Sequence, residues 1–157
     1  MSLKEYTKKR KLEKSKEPKA KTPKKGGVVK GKHGSLSFVV HNHFASHHHW
    51  DLRLEMNKVL KSWAIPKLPP TSKGVKRLAI QVEDHPLDYA KFQGTIPKGQ
   101  YGAGTVKIWD KGTYELKSKD SKKIEVIFHG KKLKGEYVLI KTSYGNKPEK
   151  SWLFFKV

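Results

Sequence analysis

The chain has 157 residues, with 35 Lys and Arg against 14 Asp and Glu and a formal net charge of +21. It contains no cysteine, which excludes disulfides, thiol catalysis and thiolate metal sites. No stretch approaches the roughly 18 uncharged apolar residues of a membrane span, and the amino terminus lacks the apolar run of a secretory signal.

In chain order, residues 1–32 come first as a basic N-terminal arm carrying 13 Lys and Arg and 3 Glu, a net of +10. With few apolar residues it has little surface to bury against its ordering entropy, so it is expected to be partly flexible. Taken alone, such a run is a solvated tail or a targeting address. The remaining residues carry the other +11, however, and a body that is basic in itself favours a polyanion such as nucleic acid. These features predict a cytoplasmic protein, associated with the nucleoid by its charge, and the like charge argues for a monomer.

From Ser35 onward the apolar residues recur with period 2. Segments 36–41, 50–56, 59–65, 78–83, 104–109, 112–116, 123–128, 135–141 and 151–157 read as strands. Turn signals separate them, among them Met56-Asn57-Lys58, Pro69-Pro70, Asp110-Lys111-Gly112 and Gly145-Asn146. Short helices are expected only around Lys8–Lys14 and Leu87–Phe92. The fold class is therefore mostly β: a single compact antiparallel β barrel over residues 33–157, with one or two short helices, behind the basic arm.

Six of the eight histidines lie at 41, 43, 47, 48, 49 and 85. In the segment from Trp50 to Met56, alternation puts Trp50, Leu52, Leu54 and Met56 on one face and Asp51, Arg53 and Glu55 on the other, joined by His49. Unpaired buried charge is expensive, so this polar row is either solvent-exposed or the lining of a functional cavity. His43, His49 and Asp51 have the makings of a His₂-carboxylate site for Mn²⁺, Fe²⁺ or Zn²⁺. Arg53 would point the same way and grip a phosphate. The plain alternative is that His47-His48-His49 forms a polar turn.

Further along, Pro86 ends a strand, and one helical turn would bring His85 and Tyr89 to a common side, where they could bind a phosphoryl oxygen or donate a proton. The alternative is a structural His before a proline. The run from Gly94 to Gly104 lacks the order of a nucleotide-binding P-loop and reads as a glycine-rich barrel corner.

Several ordered motifs resemble one family closely. They are the run from Phe38 to His43, His49-Trp50-Asp51-Leu52-Arg53-Leu54-Glu55, Leu60 through Lys67, Arg77 through Ile80, Glu83 through Tyr89, and Gly94 through Gly104. Together they resemble the phosphoesterase domain of bacterial DNA ligase D, in a free-standing form. The resemblance implies a β barrel and a Mn²⁺-dependent enzyme that heals 3′ ends, with Zn²⁺ or Co²⁺ fitting the same site. Such enzymes remove a 3′-terminal ribonucleoside and then hydrolyse the remaining 3′-phosphate to a 3′-hydroxyl. By position, His43, His49 and Asp51 match the metal ligands, and Arg53, His85 and Tyr89 match the residues on the scissile phosphate. Lys67, Arg77 and Glu83 match polar residues lining the pocket.

Two positions depart from the family pattern. His41 stands where the family often has Gln, so its role is open between an extra ligand and a substrate contact. Arg10 and Glu17 fit an Arg…Glu-Pro pattern in the arm, although Lys11 replaces an expected Asp. On this reading, water attacks phosphorus in the monoester step, while water or a ribose 2′-hydroxyl serves in the diester step. A protonated His85 would act as general acid. The implied partners are nucleic acid 3′ ends, DNA with a 3′-ribonucleotide or 3′-phosphate, and a separately encoded ligase or polymerase.

Two readings compete with this one. An Fe²⁺ oxygenase also uses H-x-D with a distant His, but the charge and Arg53 favour phosphate chemistry. A non-catalytic nucleic-acid end-binding module would stack bases on Trp50, Trp63 and Trp109 and bind without metal.

Overall fold

Alternation along the strands leaves each with one apolar face, and eight strands bury that face by closing on themselves. The computed structural model describes residues 3–10, 17 and 36–157. A helix α1 (Leu3–Lys8) precedes strands β1 (Leu36–Phe44), β2 (His49–Met56), β3 (Val59–Ile65) and β4 (Lys76–His85). There follow a 3₁₀ turn (Leu87–Lys91), β5 (Gly94–Ile96), β6 (Gly104–Lys119), β7 (Lys123–His129) and β8 (Lys134–Lys141). A second 3₁₀ turn (Pro148–Lys150) leads into β9 (Ser151–Lys156).

The strand order is β1-β2-β3-β4-β9-β8-β7-β6, every pairing is antiparallel, and β6 returns to β1 to close the barrel. The expected barrel is therefore present. β5 adds a short strip on β6 beside β1. No helix among the described residues is long and apolar enough to cross a membrane.

The barrel interior is aromatic and aliphatic. The Phe128 ring meets Phe38, Tyr137 and Phe154 edge-on at centroid distances of 4.7, 5.1 and 6.1 Å, and Leu52 and Trp63 are buried with them. Each such side chain contributes about 1.5–3 kcal/mol by burial. A second apolar cluster of Tyr6, Leu60, Tyr89, Phe92, Ile96 and Val106 lies outside the barrel wall. It is there because the arm, the first 3₁₀ turn and β5 cover the outer face of β1–β4.

The Met56-Asn57-Lys58 signal gives a tight hairpin between β2 and β3, with Asn57 and Lys58 both at positive φ (54° and 67°) as a two-residue primed turn requires. Asp110-Lys111-Gly112 does not give a turn. β6 runs unbroken from Gly104 to Lys119, because nine-residue β1 pairs with both of its halves. Instead β6 bends at a bulge: His41 pairs with Ile108 and Val40 with Asp110, so Trp109 is the extra residue. The Asp110 carboxylate turns away and accepts the main-chain N–H groups of Lys131, Lys132 and Leu133 at 3.0, 3.0 and 2.8 Å. Gly112 is needed for close approach, since a Cβ there would lie 2.4 Å from the His129 carbonyl oxygen.

Of the expected helix at Lys8–Lys14, residues 11–14 fall outside the described residues, and the helix that is described lies earlier, at Leu3–Lys8. The expected helix at Leu87–Phe92 is the 3₁₀ turn.

Asp110→Ala leaves four N–H donors, of Lys111, Lys131, Lys132 and Leu133, without this acceptor, Leu133 buried among them. Urea unfolding should show a loss of about 3 kcal/mol. A loss below about 1 kcal/mol would mean that the carboxylate is not what holds the 130–133 turn.

Candidate active site

The site is built on one antiparallel pair. Register sets His43 opposite His49 and His41 opposite Asp51, so the four side chains share the outer face of β1 and β2, and Arg53 follows two residues on. Of the polar row that alternation required to be exposed or in a cavity, His49, Asp51 and Arg53 line a cavity of about 230 Å³ together with His43, whereas Glu55 accepts the Ser37 N–H and hydroxyl at 2.9 Å.

His43 Nδ1 lies 3.5 Å and His49 Nε2 3.2 Å from Asp51 Oδ2. The far nitrogen of each ring is held by a main-chain carbonyl: His43 Nε2 by Gly102 at 2.7 Å, His49 Nδ1 by His47 at 2.8 Å. Donation to those carbonyls turns the other nitrogen of each ring toward Asp51. Carbonyl-fixed imidazoles are how proteins orient metal ligands. The ligand atoms of the three residues fall within 4.8 Å of one another, and a His₂-carboxylate donor set without sulfur suits a divalent cation of the Mn²⁺, Fe²⁺ or Zn²⁺ kind. Burial works against a charged Asp51, but Arg53 and the two histidines outweigh it and hold the carboxyl well below the usual carboxylate range.

Arg53 is buried and held on three sides. Its Nε donates to His41 Nδ1 at 3.1 Å, its Nη2 lies 3.3 Å from Asp51 Oδ2, and its plane lies 4.8 Å from the centroid of the Tyr89 ring. Nη1, also buried, has no hydrogen-bond partner among the described residues. His41 is thus neither a member of the ligand group nor part of the cavity wall. It sits beneath Arg53, edge-on to Tyr89, and burial and the neighbouring guanidinium push its pKa down to about 3. It is therefore a neutral acceptor that fixes the arginine.

His85 and Tyr89 do meet, with ring centroids 4.6 Å apart. Burial first, then Arg53 and Arg10, lower the His85 pKa well below its ordinary value, so the imidazole is neutral here. Its Nδ1 is engaged by its own strand at the Glu83 carbonyl (2.9 Å), and its Nε2 accepts from Arg10 Nη2 at 3.2 Å. This is the opposite of the cationic form that a general acid needs. The Tyr89 hydroxyl donates to Glu17 Oε2 at 2.7 Å.

The described part of the arm is docked. Tyr6 is fully buried, and Arg10 pairs with Glu17 and Glu83, each at 2.8 Å, with all three side chains at most 5% exposed. Lys9 reaches Glu83 at 3.3 Å and lies over the Tyr101 ring at 5.0 Å. Arg10 and Glu83 line the cavity with the triad, and Glu17 lies behind Tyr89.

Lys67 and Arg77 do not line it. Lys67 is exposed on the β3–β4 connection, and Arg77 Nε donates to the Leu68 carbonyl at 2.8 Å, bracing that connection. Sequence reasoning passed over Tyr101, Gly102 and Ser62. The signal for the first two was the glycine run itself: Gly102, at φ 76°, turns its carbonyl onto His43 and sets Tyr101 at the rim. Ser62, whose Oγ lies 3.4 Å from His85 Nδ1, carried no signal.

Residues 41–141 match the family described as the DNA ligase D 3′-phosphoesterase domain. The chain is 42% identical over 159 residues to the multifunctional non-homologous end joining protein LigD of Pseudomonas aeruginosa, covering 98% of this chain and 18% of that protein. It is 50% identical over 111 residues to the multifunctional non-homologous end joining DNA repair protein LigD of Mycobacterium tuberculosis, covering 68% and 15%. The chain thus spans less than a fifth of the length of these relatives.

Glu83→Ala removes the anchor of Lys9 and Arg10. Limited trypsin digestion should cut after these residues on the order of 100-fold faster, the scale of a broken buried ion pair. Unchanged cleavage would mean that the arm is held without this contact.

Proposed function

This chain belongs to the DNA ligase D 3′-phosphoesterase family, and from that premise we propose that it is a divalent-metal-dependent enzyme that heals nucleic-acid 3′ ends. It removes a 3′-terminal ribonucleoside as a phosphodiesterase, then removes the 3′-phosphate as a phosphomonoesterase, leaving a 3′-hydroxyl for end joining. The observation that carries this reading is Arg53: a buried guanidinium, locked on three sides beside a His₂-carboxylate triad, with its Nη1 amino group unsatisfied by any described residue and so left for an anion.

His43 Nδ1, His49 Nε2 and Asp51 would hold the metal, Mn²⁺ by family resemblance. Bound there, the ion supplies Lewis-acid neutralisation of phosphate charge. Arg53 Nη1 donates to a nonbridging phosphate oxygen, and its fixed plane means that little reorganisation is needed as charge builds. Arg10 closes the opposite side of the cavity and holds His85 through Nε2. A phosphate dianion entering there would compete for Arg10 and favour a proton on His85, restoring its use as a donor. Tyr89, tied to Glu17, gives the guanidinium its stacking surface. Charge outside the cavity favours a polyanion, since phosphate contacts by lysine need no base readout. A ligase would take up the healed end.

The test is a gel assay on a 5′-labelled primer–template ending in one ribonucleotide or a 3′-phosphate, with and without Mn²⁺. Metal-dependent shortening followed by a 3′-hydroxyl is expected; folded, metal-loaded protein that binds the ends but forms no product would overturn the proposal. Arg53→Ala and His49→Ala should each lower both steps by on the order of 10²–10³. His41→Gln, which keeps an acceptor for Arg53 Nε, should retain most activity, whereas His41→Leu should lose at least tenfold. Equal activity in the Gln and Leu variants would contradict the positioning role.

A further inference from the structure

The alternation that sends His43 and His49 into the cavity sends their neighbours Phe44 and His48 to the opposite face of the same hairpin. There the two rings stack at a centroid distance of 4.7 Å and an interplanar angle of 16°. His48 in turn lies 4.4 Å from Trp50, tilted by 36°, so the three rings form a column. His48 is pinned edgewise by Asn42, its Nε2 being 2.5 Å from the amide Oδ1. Trp50 packs against the barrel core at the foot of the column, while Phe44 at its head is 45% exposed.

Core packing explains Trp50 but not the upper rings. Phe44 joins neither apolar cluster, and an exposed phenyl held parallel to an exposed imidazole buries little. On β6, Lys107 is paired with Asn42 and Thr105 with Phe44, which puts Lys107 on the column's own face, exposed. A rigid π-surface beside a lysine, on a chain of net charge +21, is the pattern by which proteins hold unpaired nucleobases. An apolar protein partner would have no use for the cation, and an acidic one no use for the stacked rings.

We propose that the Phe44–His48–Trp50 column is a stacking platform for an unpaired nucleobase flanking the phosphate in the cavity, with Lys107 on that nucleotide's backbone. This rests on the reading of the cavity as a 3′-end site. Because platform and triad are the two faces of one hairpin, seating a base on Phe44 fixes where the adjoining strand passes His43 and His49.

The test uses primer–templates ending in a 3′-hydroxyl, with 2-aminopurine at each of the first three unpaired template positions. Wild-type protein should quench one of these positions strongly. Phe44→Ala and His48→Ala should abolish that quench and raise Kd on the order of tenfold. Phe44→Trp, which keeps a ring, should retain both and controls for folding. Lys107→Ala should instead reduce the salt dependence of binding by about one counterion. A wild-type protein that binds these ends without quenching, or Ala variants that bind as tightly as wild type, would overturn the platform and leave the phosphoesterase reading, tested on 3′-phosphate ends, standing. A wild-type protein that does not bind the primer–template would overturn both.

Discussion

A closed eight-stranded barrel has one interior, and here Phe38, Leu52, Trp63, Phe128, Tyr137 and Phe154 fill it. The row His49, Asp51, Arg53 and Glu55 must therefore face outward, because strand geometry allows only two directions. Yet Asp51, Arg53 and Glu55 are all nearly inaccessible. Charge on the outside of a barrel can be buried only by a second layer. Helix α1, the 3₁₀ turn after Pro86, β5 and the glycine-rich loop supply it. The site is thus a seam between the barrel wall and its cover, which explains how one chain holds a hydrophobic core and a polar cavity so close together.

The seam sets the electrostatics. Arg10, Arg53 and Lys9 face Asp51, Glu83 and Glu17, three cations against three carboxylates. A divalent cation among His43, His49 and Asp51 would turn this balance into a net positive charge, suited to an incoming phosphate. The carboxylates also divide the labour. Asp51 orients Arg53 from below, while Glu83 and Glu17 hold Arg10 across the cavity. Removing one of them unbalances a buried network rather than a surface pair, so the effects should be large and strongly coupled.

Much of this was legible in the sequence, because period-2 alternation and the His-x-Asp-x-Arg spacing are local. So was the Asn57-Lys58 hairpin. What failed was non-local. Asp110-Lys111-Gly112 has the composition of a turn, but its conformation is decided by β1, some 70 residues earlier, and by the N–H groups of the 131–133 segment. By composition Arg10 is one more basic residue of a tail; only the family's Arg…Glu-Pro pattern singles it out with Glu17, and its partner Glu83 is visible only in the fold. Lys67 and Arg77, carried over from family motifs, lie outside the cavity, Arg77 being drawn to the Leu68 carbonyl. His85 reads on sequence as a phosphate contact that donates a proton if charged, and burial with two nearby guanidinium groups favours its neutral form.

The central claim is that cation and phosphate meet between the triad and Arg53. A crystal grown with Mn²⁺ and an oligonucleotide ending in a 3′-phosphate, measured at the manganese edge, tests it directly. The account predicts one anomalous peak within coordination distance of His43 Nδ1, His49 Nε2 and an Asp51 oxygen, with a phosphate oxygen on Arg53 Nη1. A peak held through His43 Nε2 or through His41, or a phosphate bound away from Arg53, would contradict it.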